Sequence, residues 1–131
     1  MQPAPLPSPP PSADARGRHL SRGQEAVLAA VRPKLAHELG KPVRLDVVQF
    51  KAQGRWALLH ARMLDPEGRR FSYVGTPKED DAREGLMSDR YAALLSHSAA
   101  GWSIVAEAVG PTDTPWEGWT RYGAPAALFQ P

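Results

Sequence analysis

No cysteine occurs in the 131-residue chain, which excludes disulfides, thiolate catalysis and any Cys-ligated zinc or iron–sulfur site, and leaves the redox compartment open. The histidines, His19, His37, His60 and His97, are too far apart in sequence for any two to form a helical or hairpin metal pair. Gly17, Gly23, Gly40 and Gly54 are isolated rather than spaced as a phosphate loop or dinucleotide fingerprint. No serine lies in a Gly-x-Ser-x-Gly elbow. No run approaches the roughly 20 apolar residues of a membrane span, and no apolar segment of signal-peptide type follows Met1. Asparagine is absent, isoleucine occurs once and arginine outnumbers lysine 12 to 4, the usage expected of a GC-rich bacterial genome. These absences leave no catalytic, cofactor-binding or metal-ligating residue to name, and they favour a non-enzymatic protein.

What is present describes architecture. Six prolines fall in the first eleven positions, so residues 1–19 read as a disordered, Pro-rich tail ahead of a single domain over 20–131. Such tails often follow a removed export signal, which makes a periplasmic or secreted location the expectation. Ser21-Arg-Gly-Gln24 is a capping-box candidate, and Val27, Val31, Leu35 and Leu39 repeat at helical spacing up to Gly40. Pro33 lies inside that helix and predicts a kink or a division into two.

Val43–Lys51 and Arg55–Met63 read as a β-hairpin about Ala52-Gln53-Gly54. Pairing Ala52 with Arg55 puts Val48, Phe50, Ala57, Leu59, Ala61 and Met63 on a core face. It leaves Val47, Gln49, Lys51, Trp56, Leu58 and His60 on a mixed one. Asp65-Pro66-Glu67-Gly68 is a type I turn leading to a third strand, Arg70–Val74. The charged stretch Thr76–Asp89 reads as a loop, and Arg90–His97 and Trp102–Val109 as strands. Thr114-Pro115-Trp116-Glu117 predicts a capped helix stopped by Gly123, with Trp116, Trp119 and Tyr122 on one buried face. The fold class is therefore α+β: an N-terminal helix on a curved antiparallel sheet of four to five strands, with a short C-terminal helix.

Candidate binding residues follow from this layout. Lys51, Arg55, Trp56, Leu58 and His60, with Arg62 nearby, form a basic sheet face with an aromatic anchor, the usual makeup of a binding hot spot. Asp113, Trp116 and Trp119 are the second candidate, although tryptophans on a short helix more often anchor a core. His60 reads as a hydrogen-bonded structural histidine sooner than a catalytic base. The run Glu79, Asp80, Asp81, Glu84 lacks the spacing of a calcium loop and reads as a solvated acidic surface. Up to Gly75 there are 12 Lys/Arg against 6 Asp/Glu, and beyond it 4 against 8, an asymmetry that can mean self-association or an electronegative partner. A nucleic-acid partner is disfavoured, since net charge is only +2 and no recognition motif is present. The partner is expected to be a protein or a small ligand.

The pattern Gly101-Trp102, Gly110-Pro111-Thr112-Asp113, Trp116, Trp119 and Gly123-Ala124-Pro125, with Trp56-Ala57 upstream, resembles a group of small exported bacterial proteins. That resemblance implies a cystatin-like or NTF2-like α+β domain and an exported location. The leading functional expectation is an exported binding or accessory domain. Its rivals are an NTF2-like pocket protein or small enzyme, with helix and sheet enclosing a cavity floored by His60 or Asp113, and an inhibitor of a secreted or periplasmic hydrolase. For the last, Gln49-Phe-Lys-Ala-Gln-Gly54 departs from the cystatin Gln-x-Val-x-Gly hairpin.

Overall fold

The computed structural model describes residues 21–130; the tail expected over 1–19 lies outside them. The first element, α1 (Arg22–Leu39), starts at the predicted capping box: the Gln24 amide donates to the Ser21 hydroxyl at 3.1 Å and the Ser21 amide donates to the Gln24 carboxamide oxygen at 3.0 Å. It ends on left-handed Gly40, whose amide donates to Ala36. The helix runs through Pro33 as one 18-residue element, so it is not divided there.

Strands β1 (Arg44–Gln53), β2 (Trp56–Leu64), β3 (Arg90–Ser98) and β4 (Gly101–Val109) form one antiparallel sheet in sequential order, with a five-residue helix, α2 (Glu79–Arg83), between β2 and β3. Val27, Leu28, Val31, Leu35 and Leu39 of α1 bury against one sheet face, made of Leu45, Val47, Ala57, Leu59, Ala61, Met63, Tyr91, Ala93 and Leu95. This helix face is the larger core.

The β1–β2 register differs from the expectation in two ways. The turn is Gly54-Arg55, with Ala52 opposite Ala57, a shift of two residues that preserves which side chains share a face. A bulge between Val47 and Gln49 then reverses the alternation within β1. Val47 enters the core at 6% exposure, whereas Val48, assigned to the core by simple alternation, is 60% exposed.

The expected third strand, Arg70–Val74, does not form. Arg70 makes a single bridge to Leu64, and the rest of the outer edge of β2 is taken by β3, which pairs from Arg62↔Arg90 to Trp56↔Ser96. Phe71 and Tyr73 instead turn into the core with their rings at 5.2 Å and 87°. The Asp65–Gly68 turn holds as predicted: Gly68 donates to the Asp65 carbonyl at 2.9 Å, and the Asp65 carboxylate accepts from Glu67 and Arg69.

After β4 the chain crosses to the other sheet face. Gly110 (φ +64°) donates to the Arg90 carbonyl, Ser88 donates from its amide to Gly110 and from its hydroxyl to Pro111, and the Tyr73 hydroxyl donates to Ser88 at 2.6 Å. Beyond this anchored corner lie two 3₁₀ helices, η1 (Pro115–Tyr122) and η2 (Ala126–Phe129). The predicted capping box at Thr114 is not made, because the Glu117 amide is engaged by the Thr114 carbonyl at 3.1 Å in a 3₁₀ turn. Gly123 supplies the expected left-handed stop. Trp119, Ala124 and Leu128 bury with Leu58, Ala92 and Leu94 in a second core, while Tyr122 is 41% exposed rather than buried. The sheet is thus sandwiched between α1 and a C-terminal cover.

Candidate functional site

The cover lies on the mixed face, the surface expected to be open. Alternation along β2 sends Trp56, Leu58, His60 and Arg62 to that side. At the Trp56 end the cover closes on the sheet: Trp56 packs against the second core, and Gly123 lies beside its ring. At the His60–Arg62 end it leaves a cavity of about 420 Å³.

Three strands and the cover build this pocket. From β1 come bulged Val48 and Gln49; from β2, Leu58, His60 and Arg62; from β3, Arg90; and from the cover, Trp116, Leu128, Phe129 and Gln130. Trp116 meets the His60 imidazole edge-on, with centroids 4.7 Å apart and planes at 83°. Leu128 holds η2 to the sheet by full burial. The wall is therefore aromatic and aliphatic, while Arg62 and Arg90, exposed and directly opposite each other across β2–β3, mark its solvent edge.

Electrostatics sharpen the picture. Burial, and then the nearby positive charge of Arg90, hold the His60 imidazole below its ordinary value. At neutral pH it is uncharged and can both donate and accept a hydrogen bond. Among the described residues no acidic side chain lines the pocket, nor does a serine or threonine, so none of them offers His60 an orienting carboxylate or a hydroxyl nucleophile there. The arrangement can hold a ligand through shape, aromatic contact and positive charge.

Of the first predicted set, the structure brings Leu58 and His60 to the pocket. Trp56 lies under the cover, Arg55 sits in the hairpin turn over the Trp56 ring at 5.4 Å, and Lys51 lines no part of the cavity. Of the second set, Trp116 joins His60, Trp119 is core at 4% exposure, and Asp113 is exposed and outside the pocket. The cavity also differs from the pocket-protein expectation, since it lies on the sheet face opposite α1. Sequence reasoning missed Val48, Gln49, Arg90, Leu128, Phe129 and Gln130. Gln49 and Arg62 follow from the alternation that places His60, but Arg90 joins them only through a pairing across 28 residues.

A second polar cluster sits on the helix face. The Tyr91 hydroxyl donates to Glu107 Oε2 at 2.6 Å. The Glu38 carboxyl is pushed up to about 7, first by burial and then by its hydrogen bond with, and repulsion from, Glu107, against the opposing pull of Lys34 and Lys78. Burial and the Glu107 contact likewise push the Tyr91 hydroxyl up. Among the described residues no group of three acidic or imidazole side chains is arranged to hold a metal ion, and no helix is long and apolar enough to cross a membrane.

No protein-family model, curated protein or solved structure matches this chain.

Proposed function

We propose that this protein is a small-ligand-binding domain whose site is the pocket between β1–β3 and the C-terminal cover. The observation that carries this reading is a cavity of about 420 Å³ in which an aromatic and aliphatic wall meets a few convergent polar groups, His60, Gln49 and Gln130 among them. Both its size and its makeup fall in the usual range for small-molecule sites, about 300–1,000 Å³ with mostly apolar lining. The cover supports the same reading: η1 and η2 are short 3₁₀ segments that bury Trp119 and Leu128 yet leave Trp116 only half-buried against His60. Trp116 thus packs against the second core on one side and lines the cavity on the other.

The test is a titration of the ¹⁵N-labelled protein with N-phenyl-1-naphthylamine, a neutral aromatic probe. Shifts are expected at the amides of Val48, Gln49, His60, Phe129 and Gln130, with those of α1 unmoved. Gln49→Trp, which fills the pocket from an exposed strand position, should abolish them. Binding that survives Gln49→Trp, or no binding by any small aromatic probe at millimolar concentration, would refute the reading.

A further inference from the structure

Arg62 and Arg90 are register partners on neighbouring strands and point to the same side of the sheet. Like charges directly opposite in an antiparallel pair repel and destabilise the sheet. Neither guanidinium forms an ion pair with a described residue; the ion pairs of this region join Arg70 to Asp89 and, on the helix side, Lys34 to Glu38. Asp46, which faces Arg62 from β1, is buried and does not line the pocket. The pocket thus carries two positive charges, a neutral imidazole and no described carboxylate. Of the remaining lining, Trp116 and Phe129 supply aromatic rings from the cover, Val48, Leu58 and Leu128 are aliphatic, and Gln49 and Gln130 are polar.

From this juxtaposition we infer that the ligand is an aromatic organic acid, bound with its ring system against Trp116, His60 and Phe129 and its anionic group between Arg62 and Arg90. The inference rests on the small-ligand reading above and names its ligand class. Paired guanidinium forks match the oxygens of a carboxylate or sulfonate, and Arg keeps its charge at every physiological pH. An anion bridging the two guanidiniums offsets their mutual repulsion across β2–β3, where Asp46 neighbours Arg62 alone. The aromatic wall selects a flat body over a flexible chain, because stacking and edge contacts reward planar rings.

The experiment compares probes that differ in one group. 8-Anilino-1-naphthalenesulfonate is N-phenyl-1-naphthylamine with an added sulfonate, so the ratio of their affinities reports the anionic site. Decanoate, an acid without rings, reports the aromatic wall. Expected is at least tenfold tighter binding of the sulfonate than of the neutral probe, and weaker binding of decanoate than of 2-naphthoate. Arg62→Gln and Arg90→Gln should each lower affinity for the anionic probes about tenfold or more, as loss of a charged hydrogen bond does, and so lower the ratio of anionic to neutral-probe affinity by a similar factor. Both positions are exposed, so the folded state should persist. Equal binding of the two naphthyl probes, or an anionic preference that survives the double variant, overturns the ligand class while leaving the pocket reading intact. Tighter binding of decanoate than of 2-naphthoate overturns it as well. Failure of every probe sinks both.

Discussion

Replacing Trp119 by alanine tests whether the C-terminal cover is part of the folding unit. Its ring is 4% exposed and packs with Leu58, Ala92, Leu94, Ala124 and Leu128 across the sheet. A tryptophan buries about 200 Å², worth about 5 kcal/mol at about 25 cal/mol per Å² as an upper bound. Measured truncations of buried tryptophan cost about 3–5 kcal/mol. A domain of this size has roughly 5–15 kcal/mol of stability in all, so Trp119→Ala should lose a large share of it, with a Tm lower by more than about 10 °C. The assay is urea unfolding followed by circular dichroism, with Trp116→Ala as the internal comparison. Trp116 is half-buried, so its variant should lose roughly 1–2 kcal/mol, about half the smaller estimate for a fully buried ring, and lose ligand binding as well. A loss below about 1 kcal/mol for Trp119→Ala would show that the second core adds little and that the cover is a detachable lid.

Three other outcomes follow from the same geometry. Gly110→Ala should cost about 2–4 kcal/mol in denaturant unfolding, since the position is left-handed at φ +64° and a Cβ there would strike the Tyr73 hydroxyl and the Ser88 carbonyl; a neutral result would remove the anchored corner from the account. Val47→Ala should lose about 1–3 kcal/mol and Val48→Ala less than about 0.5 kcal/mol, because the bulge buries the first and exposes the second; the reverse order would restore simple alternation. Glu38 binds its proton more tightly in the folded chain than in the unfolded one, so its contribution to stability is full below pH 4.5 and declines as the pH rises to about 7. After solvent screening of this partly exposed carboxyl the decline is about 1 kcal/mol, and Glu38→Gln, which keeps the contact to Glu107 without the charge, should flatten it in urea unfolding between pH 5 and pH 8; a variant curve parallel to the parent's would refute the assignment of this decline to Glu38.

The sequence by itself determined the local elements whose signals are self-contained. Ser21, Gln24 and Gly40 bound α1 because caps satisfy orphan amides and carbonyls within a few residues. Four of the strands were legible because β-branched and apolar runs alternate between turn residues, and the Asp65–Gly68 turn because its hydrogen bonds close within it. What depended on competition between distant segments was not legible. Residues 70–74 had the composition of a strand, but β3 occupies the edge they would need. Thr114 and Glu117 spelled a capping box, but burial of Trp119 holds a 3₁₀ turn that uses the same amide. His60 and Trp116 each stood out as residue types, yet only the crossing of the chain at Gly110 brings their rings to 4.7 Å. The tertiary structure alone decided the pocket: one extra residue in β1 turns Val48 outward, and strand pairing sets Arg62 beside Arg90. Neither leaves a trace in local composition, because a register is chosen by the whole sheet's burial and not by the residues it brings together.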